Sequence, residues 1–97
     1  MLSRLIKRLF PGNNEPNPVT ATESYSGFEI EAAPMREATG WRVAGRVVWR
    51  RGEEALQHEF VRADSFPSQD NATAMSLDKG RQLVDEQGES LFDDAGA

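Results

Sequence analysis

WRVAGRVVW, residues 41–49, changes character at every step. Successive side chains of an extended chain point to opposite faces, so Trp41, Val43, Gly45, Val47 and Trp49 fall on one side. Arg42, Ala44, Arg46, Val48 and the following Arg50 fall on the other. The stretch predicts a strand with one buried face, its indoles turned inward and its guanidinium groups outward.

The flanking segments carry the same period. In YSGFEIEAAP (25–34), Phe28 and Ile30 alternate with Glu29 and Glu31, and Pro34 is expected to end the run. MREATG connects it to the next strand, with Gly40 as the turn residue. Arg51-Gly52-Glu53 predicts a hairpin turn into ALQHEFVRAD (55–64), where Leu56, His58 and Phe60 share one face and Gln57, Glu59 and Val61 the other. Beyond Asp64 the period changes to that of a helix. Ser68 and Asp70 are the expected caps, and the helix should run from about Gln69 to Gln87. Ala72, Thr73, Ser76, Leu77, Gly80, Leu83, Val84 and Gln87 fall on its inner half, while Asp78, Arg81, Gln82, Asp85, Glu86 and Glu89 fall on its outer half. Gly88 stands where a positive φ closes a helix, so Leu91 and Phe92 can return to the core. Gly80 in mid-helix costs about 1 kcal/mol relative to alanine, which predicts close packing over the middle strand, against Trp41 and Trp49.

The expected fold is α+β: a three-stranded antiparallel β-meander with one C-terminal helix packed across one face, in the order β-β-β-α. A chain of 97 residues with 38% apolar content has room for one such domain, here placed at residues 24–92. Before it, MLSRLIKRLF (1–10) sets Leu2, Leu5, Ile6 and Leu9 at helical spacing among Arg4, Lys7 and Arg8, a short basic amphipathic segment. Residues 11–23, with three prolines, read as a flexible linker, so that the N-terminus forms a mobile arm. Residues 93–97 read as a disordered acidic tail.

Charge bounds the partners. The chain carries -5 overall, yet residues 36–52 carry +4. An acidic chain repels polyanions at long range, so DNA binding needs a concentrated basic face. Arg42, Arg46 and Arg50 are the candidate, and the candidate interaction surface. Glu29, Glu31 and Glu59 occupy the same open face on the neighbouring strands, which predicts cross-strand ion pairs and favours a protein contact over direct DNA contact. A sheet with one open face and two edges also offers a route to a homodimer. Residues 1–10 are a candidate for peripheral contact with an anionic membrane surface.

Catalysis is the least supported class. His58 is the one histidine and sits between Leu56 and Phe60, and the absence of cysteine removes thiolate nucleophiles, thiolate metal sites and disulfides. No catalytic residue, metal site or cofactor is expected. No apolar run approaches a membrane-spanning length, and MLSRLIKRLF lacks the apolar core of a secretory signal, so a cytoplasmic location is the default expectation. Asp64 is expected to accept loop N–H groups and Arg62 to pair with it or with a carboxylate near the helix start, the two together fixing the strand-to-helix corner.

YSGFEIEAAP (25–34), GWRVAGRV (40–47), HEFVRADS (58–65) and KGRQLVDEQGESLF (79–92) together resemble a small bacterial domain family called HlyU, named for a haemolysin-gene transcriptional activator. The resemblance runs from Tyr25 to Phe92 and implies a regulatory role, nominally in transcription. It brings no catalytic or DNA-reading residue with it. Winged-helix regulators carry the same name, but no helix-turn-helix is legible here. Gly80 stands where relatives are expected to have alanine.

Overall fold

The computed structural model describes residues 17–93. Five antiparallel strands, a helix and a 3₁₀ turn follow one another: β1 (Ala21–Tyr25), β2 (Phe28–Ala32), β3 (Met35–Glu37), β4 (Gly40–Arg51), β5 (Glu54–Phe66), α1 (Gln69–Gln87) and the turn Gly88–Phe92. The basic segment 1–10, residues 11–16 of the expected linker and residues 94–97 of the expected tail lie outside the described residues.

The three-stranded meander is therefore corrected to a five-stranded branched sheet in the order β1-β2-β4-β3, with β5 on the other side of β4. Two local causes account for the difference. Ser26 and Gly27 both take positive φ, and this two-residue turn closes a hairpin that adds β1 outside β2. The second lies at Ala33-Pro34, where β2 and β3 are split and the Ala44 N–H turns from the strand to Ser76. Glu29↔Val48 through Ala32↔Gly45 and Met35↔Arg42 through Glu37↔Gly40 belong to one continuous register. Pro34 does not end this strand: the Ala33 N–H donates to the Ala44 carbonyl, so position 34 faces away from β4 and its missing N–H removes no bond to that strand, and the pairing resumes at Met35.

Ser76 of α1 enters at that interruption. Its hydroxyl accepts from the Ala44 N–H (3.2 Å) and donates to the Ala72 carbonyl (2.7 Å), and the residue is fully buried. A buried N–H without a partner costs about 1–3 kcal/mol. Ser76→Ala is expected to lose about that amount in urea unfolding, with an unchanged m-value; a loss below about 0.5 kcal/mol, the range of ordinary surface changes, would show that the hydroxyl does not matter.

Helix α1 has the expected limits. Ser68 caps it by accepting the Asn71 N–H at 3.2 Å, and Gly88 ends it at φ 51 with its N–H on the Val84 carbonyl. Its buried side, Ala72, Ser76, Gly80 and Val84, lies on β2 and β4. The expected neighbours of Gly80 need correction. A Cβ on Gly80 would run into the branched side chain of Ile30 on β2, not into an indole. Only Trp49 joins the main cluster, beside Val47, Phe60, Val84, Leu91 and Phe92. Trp41 lies half-buried, with the Arg36 guanidinium 5.2 Å above its ring.

Three polar links hold β1 and the residue before it to the helix: Thr20 to Thr73 (2.6 Å between hydroxyls), Glu23 to Arg81 (2.6 Å) and the Tyr25 hydroxyl donating to Asp85 (2.9 Å). Part of the charged side of α1 is thus spent on the sheet. Asp85 keeps the Tyr25 phenol protonated, its pKa raised first by that hydrogen bond. Glu23 raises Arg81 in the same way.

Candidate functional site

The face of the sheet away from α1 carries the arginine row. Arg46 lies opposite Glu31 in register and bonds it at 2.7 Å. Arg50 reaches diagonally to Glu29 at 3.1 Å, and Arg42 pairs with Glu37 across the β3–β4 hairpin. Each arginine of the row thus holds a carboxylate from the adjoining strand segment. The Arg46 side chain keeps only 13% of its surface, whereas Arg50 keeps 62%. The row is a set of separate ion pairs, and an uninterrupted positive patch is absent from it. The more open pairs, those of Arg42 and Arg50, contribute about 0–1 kcal/mol each, so their main effect is to cancel charge and fix side-chain direction.

The Arg62-Ala63-Asp64 stretch has a position that period counting did not reveal. Between Ala44↔Val61 and Arg42↔Ser65 the ladder advances two residues on β4 and four on β5. The two extra residues of β5 make a bulge opposite Val43. An even insertion leaves inner and outer positions unchanged on both sides of it, which is why β5 continues to Phe66 instead of stopping at a corner. Arg42 serves this bulge directly: it donates to the Arg62 carbonyl at 3.2 Å. Ser65 donates to Glu37 at 2.9 Å, so β3, β4 and β5 are tied together by Arg42, Glu37 and Ser65. The Ser65 hydrogen bond, followed by that of Arg42, holds Glu37 below the usual carboxylate range. The side chains of Arg62 and Asp64 are exposed, with no ion pair between them.

Arg46 also lines a shallow dent of mixed character, together with Met35, Val61, Glu59 and the buried Ala33 and Ala44. Val61 is 58% exposed, an unusual position for a large apolar side chain. Sequence reading placed Val61 on the open face, but the dent arises from register and from small neighbours, which a list of alternating residues does not reveal.

His58 faces Val47 across β4 and β5, half-buried, with no hydrogen-bond partner for its ring among the described residues. Also among these residues, no group of three or more histidines and carboxylates could hold a metal ion, and no helix is long and apolar enough to cross a membrane. The sheet edges at β1, β3 and β5 are the places where another strand could pair.

No curated protein and no solved structure matches the chain. A family model described as "Transcriptional activator HlyU" matches residues 4–92, nearly the whole length. The ion-paired sheet face, the bulge at Arg62-Ala63-Asp64 and the Gly88–Phe92 turn all fall inside that match, and the chain belongs to the HlyU family.

Proposed function

We propose that this domain is a regulatory module that acts by binding another protein, with the open sheet face around Arg42, Arg46 and Arg50 as the contact surface. The observation that carries the reading is the pairing of all three arginines with Glu37, Glu31 and Glu29 of the same chain. A phosphate-reading surface needs cations free to neutralise phosphates and so displace the counterions condensed on the nucleic acid. Here the cations are already matched, in a chain of net charge -5. The same arrangement suits a protein surface, where paired charges at the rim set orientation and specificity. The regulatory part of the reading rests on the family match, whose description names a transcriptional activator.

Anisotropy titrations of labelled duplex DNA across a salt series test the choice of partner. No binding is expected at moderate salt. Three arginines acting on phosphates would give a log K against log salt slope of about -2.7; such a slope, lost in the Arg42→Ala, Arg46→Ala, Arg50→Ala triple variant, would overturn the reading in favour of a direct DNA-binding activator. A pull-down from native cell extract should return the same protein with and without nuclease. Capture that disappears with nuclease also counts against it.

A further inference from the structure

We propose that the outer edge of β5 pairs antiparallel with the same edge of a second copy of the chain, over residues 55–61, with His58 on the two-fold axis. The contact lies at the edge of the sheet and stands whichever macromolecule the open face binds.

Backbone geometry is the first argument. β4 pairs with one side of β5, and no described residue pairs with the other. The remaining edge strands are short, five residues in β1 and three in β3, against 13 in β5. Ala44 shows which groups of β5 are left over. Its N–H goes to Ser76 and its carbonyl accepts from the Ala33 N–H, so both turn away from β5. Val61, opposite Ala44, is therefore a non-hydrogen-bonded partner, and its own N–H and carbonyl point outward from the sheet. Alternation carries the same direction back through Glu59 and Gln57 to Ala55. The turn at Gly52-Glu53 bounds this regular edge at one end, and the bulge after Val61 bounds it at the other. Its midpoint is His58.

Self-complementarity is the second. A copy turned about His58 uses every outward group: Ala55 exchanges both backbone bonds with Val61 of the second copy, and Gln57 with Glu59. The side chains agree with that register. On the open face, Val61, 58% exposed in the single chain, is covered by Ala55, and the Gln57 amide can donate to the Glu59 carboxylate. On the helix side, half-buried Leu56 comes beside Phe60, and Glu54 approaches Arg62, opposite in charge. Moving the axis to Glu59 sets two carboxylates directly opposite each other, which destabilises a strand pair. Moving it to Gln57 places Val61 opposite Glu53, in the turn. His58 is the axis that avoids both. A two-fold perpendicular to the sheet keeps both helices on one side and both arginine rows on the other, so the pairing doubles the open face.

The absence of cysteine makes the test direct, since His58→Cys places one thiol of each copy on the axis. In a non-hydrogen-bonded pair the Cα atoms lie about 4.5 Å apart, within the span of a disulfide. Mild oxidation of the full-length variant is expected to convert most of it into a cross-linked dimer. A mixture of Ala55→Cys and Val61→Cys should give the mixed dimer in preference to either homodimer. Glu59→Pro supplies the converse. The Glu59 N–H makes no bond to β4, so the variant should keep the parent's circular dichroism while its ring and missing donor block the edge. Sedimentation of the parent should show the mass rising from monomer toward dimer with concentration, and Glu59→Pro should weaken that association at least about tenfold, as expected for two lost hydrogen bonds. A parent that stays monomeric at millimolar concentration overturns the proposal. So does a dimer that survives in folded Glu59→Pro, which would place the contact on another surface. Cross-linking decides even if Glu59→Pro does not fold: His58→Cys that oxidises no faster than Ala74→Cys, on the exposed side of α1, overturns it equally.

Discussion

Gly45→Ala is expected to destabilise the domain by about 3 kcal/mol, the upper end of what overpacking usually costs. Gly45 lies in the middle of β4, paired with Ala32 on one side and Phe60 on the other. A Cβ at this position would collide with the Glu31 carbonyl oxygen and lie 3.0 Å from the Phe60 ring. A flexible side chain could swing away from such a contact. The carbonyl belongs to the backbone of the neighbouring strand, and Glu31 is held in register there by its pairing with Arg46. Alanine fits a strand at least as well as glycine, so backbone entropy in the unfolded chain favours the variant by about 0.5–1 kcal/mol. The expected loss is net of that gain. In a domain this small each kcal/mol shifts the melting temperature by about 4–8 °C. A thermal melt within about 2 °C of the parent, less than half a kcal/mol on that scale, would mean that β2 and β4 are not pressed together at this point.

Gly45 and Gly80 also mark how far periodicity reaches. Alternation at 41–49 located β4 and its two faces, and the helical spacing with Ser68 and Gly88 located α1 to the residue. Those signals are local, and they survive because each element buries one face. The missing pieces depend on contacts between elements. β1 is short, polar and half-exposed; Ser26-Gly27 was its one local sign, and it is held by Arg81, Asp85 and Thr73 from far along the chain. The two-residue insertion in β5 preserves the alternation, so counting faces passes over it. Pro34 shows the opposite failure: a residue that usually ends a strand here stands where its N–H would face away from β4, so the register runs through it and the one altered rung is the Ala44 N–H, which bonds Ser76.

The arginine row was legible for a related reason. Glu29, Glu31 and the arginines share parity, and parity on adjacent antiparallel strands is enough to predict ion pairs between them. Glu37 was not foreseen as a partner, since the polar connection MREATG gave no sign of a strand at Met35–Glu37. The resulting face is balanced at the level of individual side chains, which net segment charge conceals. The +4 carried by residues 36–52 suggests a polyanion reader, and the pairing removes most of that potential.

Phe92→Ala is expected to have the largest effect of all, about 3–5 kcal/mol, the usual range for removing a buried phenylalanine. The helix has already ended at Gly88, so Phe92 belongs to a five-residue 3₁₀ turn that adds no long ladder of backbone bonds. Its contribution is its ring. Phe92 is 3% exposed, stacks on Phe28 at 6.1 Å and 12°, and meets Trp49 at 5.5 Å and 43°, while Phe28 and Trp49 close the triangle at 5.7 Å. The turn therefore acts as a plug: α1 covers Ile30, and Phe92 covers the far end of the inner face, where β2 and β4 present aromatic rings. A domain of this size holds about 0.05–0.15 kcal/mol per residue in total, so loss of the plug should remove a large share of its stability. Phe92→Leu, which retains apolar volume, should cost much less, within about 1.5 kcal/mol. Urea unfolding of both variants, followed by tryptophan emission, reads the effect, with a red shift in the folded baseline of Phe92→Ala as Trp49 gains water. If Phe92→Ala and Phe92→Leu both unfold within about 0.5 kcal/mol of the parent, the turn is a passive extension and the aromatic triangle does not hold the helix to the sheet.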